Sequence, residues 1–438
     1  MMRRIFLLPA LALVASVQRP AVARAQADTS TTSFDVNGLK VILRHNGSND
    51  VVAANVYLLG GTQQLSPATQ GLEALLLNAS ERGTQHFPGE TARQIITRLG
   101  STISVEPEAD WTLFGFTGIR QTFDSTWAVF ADRLMAPTLD SAQVELVRAR
   151  MMTEVREERN APDPLVTRLA DSLAWVGHPY GFAPEGSESS LFSISLDRLK
   201  RYQATQMVTS RMLLVVVGNV DRPHLEQLVG STLAQLPHGN YTWSPPHMPP
   251  KLGRALVVQP AQLPTNYILG YYTGPPASDS DYQALRVATA VLAGRFFTEI
   301  RSQRNLSYEV DAPFVDRAIS NGGVYVTTVH PNETLGLMRT EIDRLQREVV
   351  DAEGLSRLVQ QFLTDYFLKN EVDADQATFL ARAQLYQGDY RAASHFVDDL
   401  RRVRPEDVQR VAQRYMRDFR FVYLGNPDSL SRDLIARF

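Results

Sequence analysis

The 438-residue chain writes one pattern twice. Residues 209–221, TSRMLLVVVGNVD, read as a helix exit, an apolar strand and a turn. Residues 416–428, MRDFRFVYLGNPD, repeat that figure 207 positions later (416 − 209 = 207), with Gly218-Asn219 answered by Gly425-Asn426. Ahead of each stands an amphipathic segment, SLDRLKRYQATQM or RPEDVQRVAQRYM. Asp197 or Glu406 sits near its start, and apolar residues follow at helical spacing. The openings match as well. GLKVILRHNGSNDVVAANVYLLGG (38–61) and RALVVQPAQLPTNYILGYYTGPP (254–276) are both strand, turn, strand. Each leads into an apolar-periodic helix, over 68–82 and 280–294. A repeat of this period means two copies of one domain, each long enough to bury its own core.

The repeat sets the expected layout: one lobe over 30–236, a Pro-rich linker over 237–252 around PHGNYTWSPPHMPP, and a second lobe over 253–438. Within each lobe strands come first, then helices, then strands such as STISVEPEADWTLFGFTGI and GGVYVTTVHP. That order predicts an α+β fold, an antiparallel-dominated sheet with helices packed on one face. DSAQVELVRARMMTEVREERN (140–160) predicts one long charged helix with Asp140 as its N-cap.

The first residues read as a targeting segment. MMRR is a charged start, IFLLPALALVASV a short apolar core interrupted by Pro9, and AVARAQADTS offers small-residue cleavage points after Ala25 or Ala27. Residues 1–25 are therefore expected to be a cleavable signal peptide, with a retained anchor as the alternative, and the mature chain to be periplasmic or secreted. The chain has no cysteine, which excludes disulfides, a lipid-modified Cys and thiolate chemistry. A formal charge of −3 gives no reason to expect nucleic acid or an anionic membrane as partner.

Five stretches, in order, carry a family resemblance: GLEALLLNASERGT, EVREERNAPDP, WVGHPYGFAPEGSESSL, LLVVVGNVD and GRFFTEIRSQRNLSYEV. Together they resemble the pitrilysin/insulinase family of inverted-motif zinc peptidases, over essentially the whole mature chain. The GHPYG…GSESSL stretch is a signature of its short, two-lobed members, and its residues imply a loop and a helix cap, not catalysis.

The family's metal motif is H-x-x-E-H. Two His at i and i+4 share one helix face and point at Zn²⁺, and the Glu is general base toward the attacking water. A third ligand, a Glu, comes from the long charged helix. Anchored on Gly71 and Gly83-Thr84, the resemblance maps the first His onto Ala74, the Glu onto Leu77, the second His onto Asn78 and the third ligand onto Glu154. Ala and Leu offer no lone pair, and a neutral amide is a poor Zn²⁺ ligand. The eight His (45, 86, 178, 224, 238, 247, 330, 395) include no i, i+3 or i, i+4 pair, and His86 is the nearest substitute. The expectation is no metal in this chain, with Glu154 a surface or interlobe charge.

The other half of the family's composite site is present. The resemblance implies that an Arg and a Tyr seven residues later hydrogen-bond the substrate backbone near the scissile bond. Arg301 and Tyr308 stand at that spacing. Charge growing on a carbonyl oxygen under attack is stabilised by such preorganised donors. Without the resemblance, the plain alternative is a surface Arg and a strand-start aromatic.

Some family members are heterodimers, one subunit carrying the zinc motif and the other the Arg/Tyr pair. This chain resembles the second kind. The partner then implied is a homologous H-x-x-E-H subunit holding Zn²⁺, with peptides as substrates. Two alternatives stay open: a non-catalytic scaffold or peptide-binding protein, and a self-sufficient zinc peptidase with a displaced site. The strand matching 101–116 is an edge to which substrate adds in active members. Here Trp111, Phe114 and Phe116 are expected in the core or lining a chamber.

Overall fold

A computed structural model describes residues 30–438, so the segment expected to be a signal peptide lies outside the described residues. Among the described residues twelve strands form two sheets, one per repeat. The first holds β1 (Thr31–Val36), β2 (Leu39–His45), β3 (Val51–Leu59), β4 (Thr102–Pro107), β5 (Trp111–Ile119) and β6 (Met212–Gly218), in the order β1-β2-β6-β3-β5-β4. The second holds β7 (Ala255–Pro260), β8 (Asn266–Pro276), β9 (Val310–Asp311), β10 (Phe314–Val315), β11 (Ile319–Thr328) and β12 (Arg420–Gly425). Its order is β10-β11-β8-β12-β7, with β9 also on β11.

The topology repeats as the sequence does. In each lobe the last strand inserts between two early ones: β6 lies between β2 and β3, and β12 between β7 and β8, parallel to β2 or β7 and antiparallel to β3 or β8. All other pairings are antiparallel. The all-apolar MLLVVVG run is explained by this central place, because a strand covered on both faces has no polar side to show.

Leu214 and Val216 of β6 face the helices of their own lobe, in a core with Leu75, Phe114, Phe116 and Phe130. Leu213, Val215 and Val217 face the other way, and the helix Asp373–Gln387 of the second lobe covers them with Ala377, Leu380 and Ala381. The exchange is reciprocal. The helix Pro162–Ala174 of the first lobe lays Val166 and Ala170 on Leu269, Tyr271, Val422 and Leu424 of the second sheet. Each lobe's own helices take one face, as expected, and the far face takes one helix from the neighbour. That second layer was not legible in the repeat.

A buried carboxylate pins the seam. Asp110, 2% exposed, accepts hydrogen bonds from the Tyr180 hydroxyl (2.5 Å), the Tyr386 hydroxyl (2.7 Å) and the Ala318 amide (2.9 Å). Burial and the adjacent Asp110 push both phenols far above the ordinary tyrosine range, so both stay donors. Tyr180 belongs to the GHPYG stretch, which is structural throughout. His178 Nδ1 accepts from the Tyr180 amide, and Ser187 and Ser190 form a capping box. No helix among the described residues is long and apolar enough to cross a membrane.

Candidate functional site

The helix carrying Ala74, Leu77 and Asn78, the positions that the resemblance maps onto the metal motif, spans Leu72–Ala79, shorter than the 68–82 expected. Gly71 sets its start in a left-handed conformation (φ 78°). A Cβ there would lie 2.8 Å from the Glu185 carbonyl oxygen and the Gly186 Cα, so the helix begins where it meets the signature loop. Ala74 and Leu77 are each 1% exposed and belong to the first lobe's core. Neither faces an opening that a ligand or water would need.

Asn78 is half-buried, and both ends of its amide are engaged. Nδ2 donates to the Ala74 carbonyl (2.9 Å), and Oδ1 accepts from Arg150 Nη2 (3.1 Å). Arg150 lies on the charged helix Ser141–Asn160, which Asp140 caps by accepting from the Gln143 amide (3.1 Å). One turn further on, Glu154 is exposed, with Oε1 3.6 Å from Arg150 Nε. The fold thus brings Asn78 and Glu154 to one place, with a guanidinium between them.

A second arginine closes the end of the helix. Arg133, 5% exposed, donates from Nε to Ser80 Oγ (3.1 Å) and from Nη2 to the Leu77 carbonyl (3.2 Å). A cation there is favoured by the helix dipole. Burial lowers its pKa to about 10, which leaves it charged at neutral pH. His86 is tied elsewhere: its amide and Nδ1 both meet the Asp132 carboxylate, at 3.1 and 2.8 Å. Among the described residues no group of three or more His, Asp or Glu is placed to hold a metal ion. The residues present do not fit zinc. Two of the mapped positions are sealed and apolar, and the other two already share a cation.

The second lobe holds the other pair. Its helix Asp281–Phe296, the counterpart of Leu72–Ala79, runs on into a π-turn over Phe297–Ser302. Such wide turns are frequent at functional sites. The chain then folds back, with the Leu306 amide on the Ile300 carbonyl (3.0 Å), and enters β9. This return places Tyr308 over Arg301. The guanidinium carbon lies 4.7 Å from the Tyr308 ring centroid and 5.1 Å from that of Phe297. Arg304 takes the neighbouring carboxylate, Glu299, at 2.5 Å. Arg301 has no carboxylate within ion-pair distance among the described residues, and Tyr308 is 81% exposed. A guanidinium without a carboxylate, held against two aromatic rings beside an exposed phenol, offers a pair of hydrogen-bond donors.

The sequence named Arg301 and Tyr308, and the fold brings them together. It did not name Phe297, whose i, i+4 spacing from Arg301 was the available signal, nor Arg150, which stands in the same relation to Glu154. The two groups sit in different lobes. β4 is the free edge of the first sheet, paired only with β5. Phe114 and Phe116 are core residues, and Trp111 lies at the seam between lobes.

This architecture is that of the two-lobed, inverted-motif metallopeptidases. Residues 40–184 match the family "Insulinase (Peptidase family M16)", and residues 193–362 match "Peptidase M16 inactive domain". The chain belongs to the insulinase family. It is similar to an uncharacterized zinc protease of Bacillus subtilis, YmxG, at 21% identity over 86% of this chain and 93% of the relative. It is also similar to the mitochondrial-processing peptidase subunit beta of Lentinula edodes, at 20% identity over 90% and 89%. Among solved structures, a protease from Helicobacter pylori shares the fold, with a TM-score of 0.83 at 17% identity over 90% of this chain and 99% of that one.

Proposed function

We propose that this chain is the non-zinc subunit of an exported zinc peptidase. Its partner is a homologous two-lobed subunit carrying H-x-x-E-H and Zn²⁺, and its substrates are peptides. The metal and the general base come from the partner. This chain supplies Arg301 and Tyr308, which hold the substrate backbone near the scissile bond and donate to the carbonyl oxygen as charge builds on it. The leader-like first residues, a charged start followed by a short apolar run, support an exported location for the chain.

One observation carries the reading: Arg301 is stacked against Tyr308 and left without a carboxylate, in a chain whose metal helix has no ligands. Arg304 beside it is paired with Glu299, whereas Arg301 is held by two aromatic rings. Relatives named as a zinc protease and as a processing-peptidase subunit support the assignment to peptide chemistry. The test is turnover of the reconstituted pair. Arg301→Ala or Tyr308→Phe is expected to lower it by about 10²–10³-fold, the usual loss for one such donor. The pair stays associated in both variants. Full activity in both would sink the proposal.

A second reading, a peptide-binding scaffold without catalysis, is favoured by the complete sealing of Ala74 and Leu77 in the core. It predicts that the isolated chain binds peptides and that no H-x-x-E-H partner raises turnover.

A further inference from the structure

The helix that lost its metal still has a cation beside it, and that cation is covalently part of the protein. We infer that the Arg150 guanidinium has taken the electrostatic place of the metal ion, so that the site rejects divalent cations by charge as well as by lack of ligands. The inference rests on reading Leu72–Ala79 as a degenerate zinc helix, and it does not depend on Arg301 or Tyr308.

The geometry is specific. The Nδ2 bond to the Ala74 carbonyl fixes the Asn78 amide so that Oδ1 faces Arg150. The same guanidinium meets Glu154 through Nε. The two mapped positions that still carry oxygen are therefore both turned toward one positive charge. A surface i, i+4 pair alone would explain the Arg150–Glu154 contact but not the bond across to the neighbouring helix.

The charge is permanent. Arginine does not lose its proton in proteins. Arg133 lies close enough for its charge and that of Arg150 to act on each other, while Glu81 attracts Arg133. A dication brought to Asn78 and Glu154 would meet the fixed charge of Arg150 at contact distance and that of Arg133 behind it, and like charges repel.

The test is zinc affinity of the isolated chain, by equilibrium dialysis with elemental analysis and circular dichroism to confirm folding. Asn78→His is compared in three backgrounds: native Arg150, Arg150→Lys and Arg150→Gln. Ala74 stays untouched in this set, so the buried face is not disturbed. Ala74→His/Asn78→His in the same backgrounds adds the second imidazole. Removing the charge with Arg150→Gln is expected to tighten zinc binding on the order of a hundredfold, and Arg150→Lys to leave it weak. Equal affinity with Arg and Gln at position 150 would overturn the inference. So would an absence of zinc binding in every folded His-bearing chain. No substrate or partner enters the measurement, so this result and the fate of the proposed function are independent.

Discussion

The Arg301 guanidinium carbon sits 4.7 Å from the centre of the Tyr308 ring, with Phe297 5.1 Å away as a second aromatic contact. Two ring faces hold the cation in place without neutralising it. A contact of this kind is worth roughly 0.5–1 kcal/mol at an exposed site. Phe297→Leu is accordingly expected to lower turnover of the pair by about 2–5-fold, because Arg301 is less well held. The melting temperature should barely move, since Phe297 is 47% exposed. A change in melting temperature without a change in turnover would make Phe297 a packing residue only.

Asp110 ties the lobes through Tyr180, Tyr386 and the Ala318 amide. Asp110→Ala leaves three buried donors unpaired and is expected to cost about 3–5 kcal/mol by urea denaturation. Tyr386→Phe removes one donor and should cost about 1–2 kcal/mol. Leu380→Ala, in the exchanged helix, should cost about 2–4 kcal/mol. Because each lobe covers the other's sheet, calorimetry should show one unfolding transition for both. Two separated transitions would contradict the reciprocal packing.

Burial pushes the Glu185 carboxyl up to about 7, from an unfolded value of 4.5. Glu158 and Asp171 reinforce the rise, while a backbone hydrogen bond and Arg168 oppose it. The folded chain therefore holds this proton more tightly than the unfolded one. The stabilising contribution is full below pH 4.5 and is lost as pH rises through 7. Glu185→Gln, which mimics the protonated group, should stabilise the chain by about 1–3 kcal/mol near pH 8 and by little near pH 4. A gain independent of pH would rule out this cause.

Gly71→Ala puts a methyl group 2.8 Å from backbone atoms of Glu185 and Gly186, at a positive φ. It should cost on the order of 1–3 kcal/mol in thermal or chemical unfolding. A neutral result would mean that the helix start and the signature loop can part at little cost.

The sequence revealed most of this fold because the repeat is carried by strands and turns. β6 and β12 are apolar runs ending in Gly-Asn, and their central positions in two matching sheets follow from that pattern. The helix exchange was hidden because it depends on which faces meet across about 200 residues, and periodicity reports only that a face is apolar. Asp373–Gln387 reads as an ordinary helix whether it covers its own sheet or its neighbour's. At the site, missing ligands were legible as letters: Ala74, Leu77 and Asn78. The cation that stands beside them was not, since Arg150 is one of several arginines on a charged helix. Only the bond to Asn78 distinguishes it.

The most direct test of the central claim is zinc content and peptidase turnover, measured on the purified chain alone and again after pairing with an exported two-lobed homologue carrying H-x-x-E-H. The account predicts no bound zinc and no turnover for the single chain. It predicts one zinc per pair and turnover that depends on Arg301 and Tyr308 once the partner is present. Stoichiometric zinc with peptide cleavage by the single chain would contradict it.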